Sequence, residues 1–312
     1  MVDSPRKRPL ALEIVLVWSL FLVVAVEIVA TYSRLPTSEL YHVTGSGFSG
    51  GTGRALVFAN FPLALVAMSI LALLFEKLSS RATHAAALGA FVLCTVVFWP
   101  GVVDQADLDA KWINAFSALG VLIAIVLTAA VGRNGAAWSG RQPGDRLRIV
   151  VAAGALFVAL PWMAAELGFY LDRVPALGRL FQTGVHPHSA LLPAVHHGHH
   201  HGMDGVLLLL TAVLLSRVVP SVRDSRLRVA VGLYLALMAS YGIANMANDV
   251  WGEQIVKRDW TTWVFPNVLR PNVTIAWGLL VLGAAALYAA AAWWNGRSSA
   301  EPLNSGQAFS RA

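Results

Sequence analysis

Trp112–Val131 reads WINAFSALGVLIAIVLTAAV, twenty residues without one charged side chain. The apolar positions run on without the alternation of a half-buried strand or the stripe of a surface helix. A helix needs about 20 such residues to cross the hydrocarbon of a bilayer. Seven more blocks of this kind flank it: Leu10–Tyr32, Ala55–Phe75, His84–Val103, Ile149–Leu171, Met203–Val219, Val229–Ala247 and Asn272–Trp294. In hydrocarbon every backbone polar group must pair within the segment or a closed barrel, so each block is expected to be a helix. The composition agrees. Of 312 residues 57% are apolar and 13% charged, about half the charge of a soluble domain, and the mean hydropathy is +0.62. A disordered chain, a soluble α/β enzyme and a secreted disulfide scaffold are excluded; Cys94 is the single cysteine.

The first block follows Arg6, Lys7 and Arg8 but is too long for a signal-peptide core and contains Glu13 and Glu27, so it reads as a retained span. With the N-terminus inside, fifteen of the 23 Lys and Arg fall on the inner side, as the positive-inside rule requires. The expected fold is therefore an all-α polytopic membrane bundle of about eight transmembrane helices with both termini in the cytoplasm. Residues 1–9 form a basic cytoplasmic N-terminus, 10–294 the transmembrane domain with an outer His-rich loop at 172–202, and 295–312 a disordered cytoplasmic tail. Trp99, Trp112, Trp260, Trp263, Trp293 and Trp294 fall near span ends, where an aromatic belt is expected. The asymmetry accounts for the net charge of +6 without a nucleic-acid partner.

Seven of nine histidines lie in sixteen residues, within HPHSALLPAVHHGHHHGMDG: His186, His188, His196, His197, His199, His200 and His201. Imidazole is a ligand for zinc, copper and iron, and tight binding needs several to converge. If the sixth helix begins early, His196, His200 and Asp204 share one face at i, i+4 and i+8, and His197 with His201 makes a second i, i+4 pair. Gly198 and Gly202 disfavour that helix, so a loop wrapping the ion is the other geometry; either admits His186 or His188. A solvated loop of loose metal affinity and a pH-sensing cluster are the competing readings, and haem ligation is also open. His196–His201 contains H-x-x-H-H twice, which resembles one histidine box of the membrane di-iron desaturases and hydroxylases. Those families spread several boxes over the chain on the cytoplasmic side, and here a single box falls outside, so the family is not carried over.

Glu166 lies near the outer end of the fifth span, after Pro161 and Trp162; an intramembrane carboxylate is a functional candidate by default. Asn245, Asn248 and Asp249 share a face at the outer end of the seventh span, and Asp104, Asp107 and Asp109 lie on the same side. Outer halves thus gather polar groups while inner halves read as almost purely apolar, which favours a one-sided site over a permeation path. Gly45-Ser46-Gly47-Phe48-Ser49-Gly50 matches G-x-G-x-x-G but precedes a span, so it reads as a flexible linker.

The expected function is a transition-metal site (zinc, copper or iron) at the extracytoplasmic face of a cell-membrane protein. The bound metal would serve an enzyme acting on a lipophilic, membrane-embedded or interfacial substrate, with Glu166 and Asp249 as the proton-handling groups. The alternatives are copper or zinc binding or transport, and a structural subunit of a membrane complex.

Overall fold

The structure, a computed structural model, describes residues 9–34, 43–102, 104, 107, 109–166, 169, 174–176, 201–266, 268 and 273–300. Eight α-helices occur among them, each overlapping one apolar block: α1 Leu12–Arg34, α2 Gly51–Leu74, α3 Arg81–Cys94, α4 Asn114–Gly132, α5 Asp145–Glu166, α6 His201–Ser216, α7 Ser225–Gln254 and α8 Ile275–Ala300. Six carry a stretch long and apolar enough to cross a membrane: α2, α3 with its 3-10 extension, α4, α6, α7 and α8; α1 holds a shorter apolar run, Leu12–Val26. The fold is mostly helical, and its long apolar helices suggest a multi-pass membrane protein.

Burial is graded across the bundle. In α2 and α6, 67% of the span residues are buried, against 11% in α8, so the first two form the centre and α8 the rim. α6 packs on α7, α5, α1 and α2. The outward faces stay apolar: Leu22, Val126, Leu160 and Leu282 are all more than half exposed. A soluble monomer seldom exposes a continuous apolar surface of this kind; hydrocarbon is the solvent that suits it. All six tryptophans read as belt residues are exposed.

Close helix approach rests on glycine. A methyl group at Gly205 of α6 would stand 2.5 Å from the Gly242 carbonyl oxygen of α7, and one at Gly242 would stand 2.6 Å from the Gly205 carbonyl. Hydrocarbon gives no hydrophobic drive between helices, so van der Waals contact at small residues supplies the attraction.

The helices alternate in direction. The Lys77 ammonium donates to the Pro9 carbonyl (2.8 Å), and the Arg223 and Asp224 amides donate to the Glu76 carboxylate (2.7–3.1 Å). Leu10–Ala11 (β1) pairs in parallel with Ala136–Ala137 (β2). These contacts gather the start of α1 and the α2–α3, α4–α5 and α6–α7 connections at one end, so the described basic loops lie together. The first block therefore does not open as helix; Leu10 and Ala11 pair instead with the α4–α5 loop. α7 also runs past Ala247, the end of its apolar block, to Gln254, so Asn245, Asn248 and Asp249 lie on one helix as their spacing required.

Candidate metal centre

The end of the bundle opposite the basic loops is where α6 begins. His186, His188, His196, His197, His199 and His200 lie outside the described residues; His201 is the first residue of α6, and its side chain is not described. Asp204 sits in that first turn, half-buried. Tyr241 of α7 is 5% exposed and hydrogen-bonded to the Asn245 side chain. The Asn245 amide also donates to the Tyr241 carbonyl at 2.8 Å and is buried.

Asp249 lies one turn beyond Asn245 on α7 and is 8% exposed. Its carboxylate rests on the α6 backbone: a methyl at Gly202 would be 2.5 Å from one oxygen and 2.8 Å from the carboxyl carbon. Only glycine leaves that room. The unpaired amides and positive dipole end of a helix start favour an anion there. Asp249 thus lies against the first turn of α6, and Asp204 is a residue of that same turn, directly after the histidine run. Among the described residues, no group of three or more His, Cys, Asp or Glu side chains converges as a ligand set. Glu166 is the last residue of α5, and its side chain is not described.

The rest of this end is held by structural contacts. The Asn248 amide donates to the Phe265 carbonyl (3.0 Å) and the Trp251 indole to the Trp263 carbonyl (2.9 Å), folding the chain after α7 back against it. Asp107 pairs with Lys111 at 3.0 Å. Asp109 accepts from the Thr44 hydroxyl (2.7 Å) and from the Thr44 and Gly45 amides (2.9–3.2 Å). The Thr44 hydroxyl, with the two amides and Lys111, holds the Asp109 carboxyl below its usual range despite some desolvation. The glycine-rich segment is therefore a clasp on the α3–α4 connection, where a flexible linker was expected.

A polar cluster at the basic end was not expected. Glu13 of α1 is fully buried; its Oε1 accepts from the Arg217 Nε (3.0 Å) and the Ser139 amide (3.2 Å). Arg217, at the end of α6, also pairs with Asp145 and donates to the Gly140 carbonyl (2.7 Å). Arg148 bridges Asp145 (3.1 Å) and the Ser216 hydroxyl (2.9 Å). Burial works against the Asp145 charge, but the Gln142 amide, Arg217 and Arg148 outweigh it and hold the carboxyl below the usual range. The expectation that the halves on the basic side are almost purely apolar is corrected by this cluster. The Arg217 side chain is 17% exposed and turned toward two carboxylates. The signal in the sequence was Glu13 itself, a carboxylate in an apolar block with arginine at the matching depth of another.

Compared with protein-family models, with curated proteins and with solved structures, the chain matches none.

Proposed function

We propose that this chain is an eight-span membrane protein with both termini inside, which holds a transition-metal ion at the extracytoplasmic face. We further propose that it uses the ion as an enzyme on a membrane-embedded or interfacial substrate. The observation that carries the reading is the packing of the Asp249 carboxylate against Gly202 in the first turn of α6, the turn that also holds Asp204 and follows the histidine run. Zinc and iron take mixed imidazole and carboxylate sets, and helical counting from Asp204 reaches His200 and His196 on the same face. His186 or His188 closes the coordination, with His197, His199 and His201 as further imidazoles of the same run. A bound metal supplies Lewis acidity and lowers the pKa of water. Asp249, placed against the α6 backbone, and Glu166, at the end of α5, are the candidates to move the proton.

One-sided chemistry is favoured over transport. At the opposite end the described polar groups are engaged with one another, β1 with β2 and Glu13 and Asp145 with Arg217. The basic loops gathered at that end support its cytoplasmic assignment.

Elemental analysis of detergent-purified protein, prepared without a histidine tag, tests the reading. A defined centre gives near-integral metal in wild type, lost in His196→Ala, His200→Ala and Asp204→Asn and kept in His199→Ala. Binding weakens as pH falls through the histidine range, because ligands must be deprotonated. Equal partial losses at all seven histidines would overturn the defined centre, and metal flux into sealed proteoliposomes would overturn the one-sided site.

A further inference from the structure

We infer that the basic end of the bundle is a binding surface for the anionic headgroups of phospholipids in the leaflet it meets. The described carboxylates at this end are engaged elsewhere. Glu13 and Asp145 face Arg217 and Arg148. Glu76 is taken by two backbone amides of the α6–α7 connection, and Asp224 caps α7 through the Leu227 amide at 2.8 Å. All four are committed to backbone or to inward-facing guanidinium groups. Arg133, Arg141 and Arg146 on the α4–α5 side and Arg223, Arg226 and Arg228 on the α6–α7 side are exposed, and among the described residues none of the six pairs with a carboxylate. The two groups belong to one surface, because Arg217 bonds Gly140 and Arg148 bonds Ser216 across the connections.

An uncompensated cationic surface at the level of helix ends attracts counter-charge. The phosphate diester of a phospholipid is the anion fixed at that depth. Guanidinium groups bind phosphate through paired N–H donors, which gives geometry as well as charge. Trp138, 56% exposed in the α4–α5 loop, with Trp293 and Trp294 near the end of α8, places amphipathic rings where headgroups meet acyl chains. Free phosphate carries the same chemistry, but the six arginines are exposed and spread over two separate connections and the helix starts that follow them, as suits a layer of headgroups.

The test is native mass spectrometry of the full chain in mixed micelles of phosphatidylcholine with a minor fraction of phosphatidylglycerol. Wild type is expected to retain phosphatidylglycerol several-fold above its share, with the enrichment falling as salt is raised. The variant R133Q/R141Q/R146Q/R223Q/R226Q/R228Q is expected to fall to parity, and the same six positions changed to lysine to keep most of the enrichment. If the sixfold glutamine variant does not fold, the two threefold variants replace it, each expected to lose part. Lys257→Gln, at the opposite end, is expected to change nothing. Parity in wild type, or undiminished enrichment in the glutamine variants, overturns the proposal. Full displacement of the lipid by millimolar inorganic phosphate would also overturn it, since the surface would then be a soluble-anion site.

Discussion

Replacing Arg217 by methionine removes the cation that two carboxylates share. Glu13 is fully buried and would keep only the Ser139 amide, 3.2 Å from Oε1, while its Oε2 has no partner among the described residues. Asp145 would keep Arg148 and the Gln142 amide. Leaving a buried charge uncompensated costs about 3–5 kcal/mol, far above the 0–1 kcal/mol typical of an exposed pair. Methionine fills much of the arginine stem's volume, so the loss reports charge more than packing. The double variant Glu13→Leu/Arg217→Met removes both partners and should recover a large part of the loss; that recovery is the sign of a buried pair. The assay is the unfolding midpoint of detergent-purified protein for both single variants and the double. A cost below about 1 kcal/mol for Arg217→Met, or simple addition in the double variant, refutes the reasoning. The cluster also sets an acid limit. Because the Asp145 carboxyl is held low when folded, its stabilising share is present above the unfolded value of about 3.9 and is lost only as pH falls below that range. Stability should therefore be level in this respect from pH 7 to 5 and fall in stronger acid, more shallowly in Asp145→Asn.

The remaining expectations concern other parts of the bundle. Gly205→Ala and Gly242→Ala each force a methyl onto a facing carbonyl oxygen and should cost about 1–3 kcal/mol by overpacking, read as lower unfolding midpoints, whereas Gly154→Ala, which meets nothing within 4 Å, should not destabilise. Asp109→Ala releases the Thr44–Gly45 clasp and should raise the rate of limited proteolysis within Thr44–Gly50; in wild type the same release should wait until pH falls below the ordinary carboxylate range, since the folded carboxyl is held low. A reporter active only outside the cytoplasm should work when fused near Gly184 and fail near Arg141; the reverse pattern would invert the orientation.

The helices were legible because hydrocarbon leaves the chain little choice: twenty apolar residues must close their own hydrogen bonds, and all eight blocks carry a helix. Boundaries were less legible where polar residues are absorbed by the fold. Asn248 reads as the end of a span, yet its amide finds the Phe265 carbonyl and the helix continues. Leu10 and Ala11 read as the start of a span, yet an edge in the α4–α5 loop was available to pair with them. The carboxylates of the candidate centre could be named from sequence, but not the packing of Asp249 on α6. Asp249 and the turn that holds Asp204 are far apart along the chain, and they come together where Gly202, Gly205 and Gly242 let two backbones approach. Glycine spacing is a weak signal until the partner helix is known. Glu13 was visible as an anomaly, but its pairing with Arg217 joins the first and sixth blocks, and no local pattern encodes so distant a contact.

α6 draws these observations together. Its first turn holds Asp204 and packs against Asp249, its middle is buried among apolar neighbours with Leu208 and Leu215 fully enclosed, and its last turns carry the arginine clamped by Glu13 and Asp145. A helix tied at one end by ion pairs and along its length by close packing is poorly placed to slide or tilt, because any shift separates those pairs or opens the packing. That rigidity suits a site whose ligands must hold their geometry better than a carrier, which has to exchange two packings of nearly equal energy. The same reasoning connects the two ends. If Arg217→Met loosens the inner clamp, α6 gains freedom and Asp204 loses its fixed position relative to Asp249. The metal content of Arg217→Met should then fall although the substitution lies a full span away from the histidines. Retention of full metal content in a destabilised Arg217→Met protein would mean that the outer end is organised by Gly202 and Asp249 alone.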